Sequence, residues 1–387
     1  MTGLRIGIVA AEASGDVLAS GLMAELRERL PDVRFEGIGG PRMLALGMDG
    51  WEPLESLSVM GLVEVLQHLP RLLKLRRRIR QRWLDNPPDL FIGVDAPDFN
   101  LGLETSLREA GVPTVHYVCP TVWAWREGRV KKIRAAVDLL LSIFPFEKTF
   151  LSRHQVRSEY VGHTLAAEMP QIVDREGARA HFGIASDVPV LAVLPGSRVS
   201  EVSRLAGPFL QTALACQQEL KGLQVLVPLV NEKTARVWRE KLAEVAPGLP
   251  VTESMQDTKQ VMAAADVVLV ASGTATFEGL LSKRPMVVGY KLNALTYWVI
   301  RLFRLIRLKH FSMANLLSSK PLAPEFIQDD CAPGKLAPAV LNFFSNSEQV
   351  EEIQAEYARV HRQLQTDTDA LAADAVIALL RERGLAV

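Results

Sequence analysis

The sequence predicts an α/β fold of two Rossmann-like domains, and three observations predict it. Short apolar runs rich in branched residues recur between Leu4 and Val270, each followed by a small-residue turn and a segment of helical pattern, the alternation of a parallel sheet with crossover helices. One such unit opens the chain, and a second of similar build begins near its middle at Val190. With 387 residues and 48% hydrophobic content, the chain has the length and apolar mass for two buried cores.

Composition narrows the function classes. The 44 basic and 44 acidic residues cancel, so no field of the kind that attracts nucleic acid is expected. The cysteines Cys119, Cys216 and Cys331 are odd in number, scattered and without Cys-x-x-Cys spacing, which points to a reducing compartment without a disulfide framework or structural zinc. The Ile6 to Ala11 run is too short for a signal peptide and is followed by Glu12. No segment approaches the ~18 uninterrupted apolar residues of a membrane span. A cytoplasmic protein that touches a surface is expected.

In chain order, Leu4 to Ala10 is a buried-type strand, Ala11 to Asp16 its turn, and Leu18, Leu22, Leu26 and Leu30 the stripe of a helix that Ser14 or Asp16 is placed to cap. Val33 to Gly39 is the second strand. The following Gly37-Ile38-Gly39-Gly40-Pro41 lacks the Gly-x-Gly-x-x-Gly fingerprint, which disfavours nicotinamide chemistry. From Met60 to Trp83 an apolar face, including Leu69, Leu72 and Leu73, is joined by Arg71, Lys74, Arg76, Arg77, Arg78, Arg80 and Arg82, and Pro70 is expected to divide the stretch into two helical pieces. It reads equally as a core helix with solvated arginines or as a basic amphipathic surface resting on anionic lipid.

Asp89 to Asn100 is a strand whose carboxyl end turns polar, and in an open α/β sheet that edge binds ligands, so Asp95 and Asp98 are aimed at a crevice. Capping of the next helix is the plainer role, better suited to Asp98. A metal site is a minority reading, because no histidine or third carboxylate lies nearby in sequence. After the Val112 to Tyr117 strand, Trp123 and Trp125 point to one side if the chain is extended, as core filler or as the wall of a sugar or acyl pocket.

The second half repeats the pattern after an expected linker over 166–189. Val190 to Leu194 is a strand, Pro195-Gly196-Ser197 a tight turn, and Arg198 a planar cation at the start of a helix. Unpaired N–H groups at the positive end of a helix suit an anion, and a guanidinium suits a phosphate. Leu223 to Pro228 is a strand with Asn231 at its exit, and Val267 to Val270 another, opening into Ala271-Ser272-Gly273-Thr274-Ala275-Thr276-Phe277-Glu278. Two such turns and a carboxylate suit a nucleoside diphosphate, with Glu278 on the ribose; a helix N-terminal acid favoured by the dipole is the simpler account of Glu278. Lys291 to Phe311 is a second basic-apolar stretch, with Arg301, Arg304 and Arg307 at three-residue spacing, open to interfacial binding, an interdomain contact or a homodimer contact. Beyond Glu325 the pattern is helical. The expected domains are 1–165, 166–345, and a helical 346–387 that packs back on the first.

The segments AAEASGD, VMGLVEVL, GVDAPDFN, HYVCPTVWAWR, FPFEK, GHT, LPGSR and ASGTATFE resemble, in order and spacing, the lipid-A-disaccharide synthase family of bacterial glycosyltransferases, as far as about Leu317. The resemblance implies a GT-B-like fold, two Rossmann-like domains facing across a cleft, working without cofactor or metal on the cytoplasmic face of the inner membrane. It further implies UDP-2,3-diacylglucosamine as donor, 2,3-diacylglucosamine 1-phosphate as acceptor, and a β-1,6 bond formed with inversion. On that reading UDP lies at Gly196, Ser197, Arg198, Asn231, Gly273, Thr274, Ala275, Thr276 and Glu278. The acceptor lies at Ser14, Gly15, Trp123, Trp125, Arg126 and Asn315, with Arg129, Lys131 and Lys132 as further candidates for its phosphate. Asn315 is similar to the asparagine of the family's PNLL-type motif, although Ala314 replaces the proline. Asp95 is the expected base for the acceptor hydroxyl, and Arg198 the expected stabiliser of departing UDP. The alternatives are a UDP-GlcNAc 2-epimerase-like enzyme with a soluble substrate and a non-catalytic nucleotide-binding protein on the membrane surface.

Overall fold

This computed structural model describes residues 3–57, 62–123, 127–293 and 309–385, without the side chains of 62–68. The strands of the first half are β1 (Arg5–Ala10), β2 (Arg34–Gly39), β3 (Asp49–Pro53), β4 (Leu90–Val94), β5 (Thr114–Tyr117), β6 (Leu139–Ser142) and β7 (Ser158–Tyr160). They form one parallel sheet in the order β3-β2-β1-β4-β5-β6-β7. The second half contributes β8 (Val190–Leu194), β9 (Gln224–Leu229), β10 (Val251–Met255), β11 (Val267–Ala271), β12 (Met286–Tyr290) and β13 (Glu325–Ile327). These pair in parallel as β10-β9-β8-β11-β12-β13. Both orders reverse beside the first strand of the unit, the doubly wound pattern expected from the sequence. Strands such as LFIGV and VLAVL are buried along their whole length, because helices cover both faces of a parallel sheet.

The helices of the first half are α1 (Ala13–Arg29), α2 (Pro41–Ala45), α3 (Leu62–Asp85), α4 (Pro97–Glu109), α5 (Val130–Ala136), α6 (Pro145–Arg153) and α7 (Thr164–Glu168). Then follow α8 (Arg175–His181), α9 (Val199–Glu219), α10 (Glu232–Val245), α11 (Thr258–Ala264) and α12 (Thr274–Leu281). Helix α3 runs unbroken through Pro70, against the expected division: the proline forfeits one N–H donor, and the tertiary contacts of the later turns hold the helix together. Leu75, Ile79 and Trp83 on it are buried in the core, and Leu72 packs beside them. Trp83 lies edge-on to Phe91 at 5.0 Å and donates to Glu36 Oε1 at 2.9 Å. From Leu72 onward α3 is therefore a core helix, while Leu69, Lys74, Arg77 and Arg80 are exposed.

The chain divides into two compact units, Met1–Glu168 with Leu364–Val387, and Met169–Gln363. The expected linker over 166–189 is not a free connector. Arg179, wholly buried on α8, donates twice to Asp266 (2.8 and 2.9 Å) and to the carbonyls of Ala264, Ala185, Ser186 and Val188. A buried guanidinium is tolerated when its donors are used this fully, and it fastens the segment to the second unit. The expected 346–387 group is also divided. The helix Ser347–Leu364 runs with the second unit to Gln363, whereas Thr368–Glu382 packs on α1 with Arg29 donating to Asp374 at 2.7 Å and Arg157 to Glu382. Among the described residues no helix is long and apolar enough to cross a membrane.

Candidate active site

In each sheet the crevice of an open α/β fold opens at the carboxyl edge where the strand order reverses. In the first unit that point lies between β1 and β4, paired through Ala10 and Val94, so the Ala11 to Gly15 turn and Asp95 leave the sheet side by side. In the second it lies between β8 and β11, paired through Leu194 and Val270, which brings Gly196 to Arg198 beside Gly273 to Glu278. Residues distant in sequence thus gather at two strand ends.

Ser14 is exposed at the start of α1, and Gly15 is buried against Ala10 and Val94. Neither Ser14 nor Asp16 caps α1, whose first turn has no side-chain cap. The buried Asp16 carboxylate instead accepts from the N–H groups of Gly40, Arg42 and Met43 at 3.0 to 3.1 Å. It caps α2 and joins the turns after β1 and β2, a better use of a buried charge than the solvated end of its own helix. Asp95 is half-buried, and its carboxylate has no hydrogen-bond or ion-pair partner among the described residues. Asp98 is exposed in the first turn of α4 and ion-paired with Arg129, while Lys131 and Lys132 are exposed on α5.

Trp123 is half-buried, edge-on to Phe146 at 4.9 Å, and donates from Nε1 to Glu147 Oε1 at 3.1 Å. Glu147 Oε2 also accepts from the N–H groups of Ile143 and Phe144 at the start of α6. Burial pushes the Glu147 carboxyl up to about 7 despite these donors. His163 sits 5.5 Å from the Phe144 ring and is held down to about 4 by burial, so it is neutral near pH 7. Trp125 and Arg126 lie outside the described residues, as does 294–308 of the second basic-apolar stretch.

In the second unit Gly196 has φ +121°, and an added Cβ would lie 2.6 Å from Glu201 Cβ. Glu201 Oε2 accepts from the N–H groups of Ser197 (3.1 Å) and Arg198 (3.3 Å). The donors expected to await a phosphate there are therefore already satisfied by the chain's own carboxylate. The Arg198 side chain is 72% exposed and 3.4 Å from Glu201, which leaves most of its donors to solvent. At the other turn Gly273 has φ +144°, and the N–H groups of Thr274 and Ala275 have no partner among the described residues. Thr276 is different: its N–H and hydroxyl both donate to Gly273 O, and its Oγ1 accepts from Met313 N–H. That wholly buried side chain is engaged within the fold. Asn231 is exposed and caps α10 through Thr234 N–H at 3.0 Å. Glu278 is half-buried; desolvation raises its pKa and Lys259 opposes the rise.

Asn315, expected at the acceptor, makes its hydrogen bonds within the fold. It is buried, its Nδ2 donates to Ala323 O (2.7 Å) and Glu325 Oε1 (2.9 Å), and its Oδ1 accepts from the N–H groups of Leu322 and Ala323. Two donors and two lone pairs are the whole capacity of an amide. Sequence reasoning missed Glu147 and Glu201, each third in its helix, the position from which an acid bonds back to the helix start.

A family model described as Lipid-A-disaccharide synthetase matches residues 6–379. The chain belongs to the lipid-A-disaccharide synthase family. A relative bearing that name from Xanthomonas campestris pv. campestris is 47% identical over 386 residues, covering 99% of this chain and 88% of its own. Another from Pectobacterium carotovorum subsp. carotovorum is 45% identical over 380 residues, covering 98% and 99%. Among solved structures, the UDP-GlcNAc 2-epimerase of Neisseria meningitidis bound to UDP-GlcNAc aligns with TM-score 0.60 at 10% identity over 98% of this chain and 99% of that one. A glycosyltransferase from Rickettsia africae aligns with TM-score 0.56 at 13% identity over 98% of each. At such identities these two show the shared fold alone. Membership of the synthase family makes this chain a glycosyltransferase and disfavours both the epimerase and the non-catalytic alternatives.

Proposed function

We propose that this chain transfers 2,3-diacylglucosamine from UDP-2,3-diacylglucosamine to the 6-hydroxyl of 2,3-diacylglucosamine 1-phosphate. The acceptor oxygen forms the new bond to the donor anomeric carbon, the bond to the UDP oxygen breaks, configuration inverts, and the hydroxyl proton passes to Asp95. The observation that carries this reading is the Asp95 carboxylate, unpartnered among the described residues at the switch point of the first sheet. A sugar hydroxyl is a weak nucleophile, and a positioned carboxylate that takes its proton contributes typically ~10²–10⁴-fold. For the leaving group, the Thr274 and Ala275 N–H groups and the exposed Arg198 guanidinium supply donors where negative charge grows. Glu278 is the carboxylate available to ribose hydroxyls. A phosphate reaching Ser197 N–H must first displace Glu201. The exposed Leu69, with Lys74, Arg77 and Arg80 unpaired among the described residues, supports a resting place on an anionic membrane, from which both acylated substrates would be drawn.

The test is a thin-layer assay with labelled donor and unlabelled acceptor, on wild type and Asp95→Asn. Wild type should yield a two-sugar product, and Asp95→Asn should lose at least about 100-fold in kcat with an unchanged circular-dichroism spectrum. A folded variant turning over within a few fold of wild type would show that Asp95 is not the base.

A further inference from the structure

The backbone that carries Asp95 is strained. Asp95 and Ala96 have φ of +53° and +41°, a left-handed pair that costs residues other than glycine about 1–3 kcal/mol each and persists only where surroundings over-determine it. Asp95 N–H donates to Tyr117 O at 2.8 Å, which fixes one side of the peptide. On the other side the Asn100 amide reaches back from the first turns of α4. Its Nδ2 lies 2.8 Å from Asp95 O, 3.3 Å from Val94 O and 3.4 Å from Val9 O. Three carbonyl oxygens around one terminal atom admit only the NH₂ end of the amide there, so its orientation follows from chemistry.

Asn100 is wholly buried, and the strand is shaped to receive it: a Cβ at Gly93 would lie 2.9 Å from Asn100 Cβ and would also run into the Glu104 carboxyl. One side chain thus joins the ends of β1 and β4, the strands that flank the switch point, to the carbonyl of the residue between sheet and helix. A residue needed only for packing would have no reason to bring an amide to that spot, where its Oδ1 is left buried without a partner at a cost of about 1–3 kcal/mol.

We propose that Asn100 is a positioning residue for the transfer reaction: its amide clamps the left-handed turn and so aims the Asp95 carboxylate at the acceptor hydroxyl. The inference rests on Asp95 being the base. Asn100 itself touches no reacting atom and acts through Asp95 alone.

The experiment is a double-mutant cycle on the full chain, with wild type, Asn100→Ala, Asp95→Asn and the double variant compared in the two-sugar assay and by thermal unfolding. Asn100→Ala should lower kcat about 10- to 100-fold with both KM values within about twofold, since a base displaced by about 1 Å loses that much. In the Asp95→Asn background the same substitution should change residual turnover less than about twofold, because the group it serves is gone. Equal losses in both backgrounds would make Asn100 a general structural residue and overturn the proposal, as would an undiminished kcat in Asn100→Ala. If Asn100→Ala does not fold, Asn100→Ser, which keeps one donor, replaces it under the same criteria. Should Asp95→Asn alone match wild type, the base reading falls, and the clamp proposal falls with it whatever Asn100→Ala shows.

Discussion

Glu147→Gln tests whether one buried carboxyl sets the pH response of the first unit. The side chain is 2% exposed and accepts from Ile143 N–H, Phe144 N–H and Trp123 Nε1 at 3.1 to 3.2 Å. Burial moves its pKa from an ordinary 4.5 up to about 7. The unfolded chain gives up this proton near pH 4.5 and the folded chain near pH 7, so between those values the folded state binds more protons. Its stabilising contribution is complete below about pH 4.5 and is lost as pH rises through 7. At about 1.4 kcal/mol per pH unit, the separation of the two values sets a ceiling of about 3 kcal/mol. Glutamine cannot ionise and presents, like the protonated carboxyl, one carbonyl acceptor and one donor end. Wild type and variant should therefore be similar in stability near pH 5, and the variant should become the more stable by up to about 3 kcal/mol by pH 8. Urea unfolding at intervals from pH 5 to 8, followed by tryptophan emission and circular dichroism, measures the difference. Other raised acids, such as Asp369 at about 6, are common to both proteins and cancel. Parallel stability curves across the range would refute the reasoning.

Asn315→Ala should lower the melting temperature markedly, because it strips the buried N–H groups of Leu322 and Ala323 of their acceptor at a combined cost of about 2–6 kcal/mol; an unchanged melt with a raised acceptor KM would instead support a substrate role. For the surface of α3, replacing Lys74, Arg77 and Arg80 with glutamine should weaken sedimentation with anionic vesicles about 100-fold at ~1 kcal/mol per cation, and undiminished binding would move membrane contact elsewhere.

The site was legible in unequal parts. The turns after β1, β4, β8 and β11 could be placed because strand, small-residue turn and helix start are local patterns, and the family resemblance attached chemistry to them. The internal partners of Asn315, Thr276 and Ser197 could not be read in advance, because sequence reveals that a polar group exists and is silent on what it bonds to. Asn315 is spent on Leu322, Ala323 and Glu325, Thr276 on Gly273 and Met313, and the Ser197 N–H on Glu201. The link that Asn100 makes to β1 could not be read from the sequence, since Val9 lies 91 residues away.

By itself the sequence determined the two doubly wound sheets, the turns that end their central strands, and the family, all of which follow from hydrophobic period, local turn chemistry and motif spacing. Tertiary structure alone decided which polar groups remain open. Asp16, Glu147, Glu201 and Asn315 are consumed within the fold, while the Asp95 carboxylate and the Thr274 and Ala275 N–H groups have no partner among the described residues. The reason is physical: a buried donor or acceptor must be matched, and its match is supplied by whichever strand end folding brings alongside.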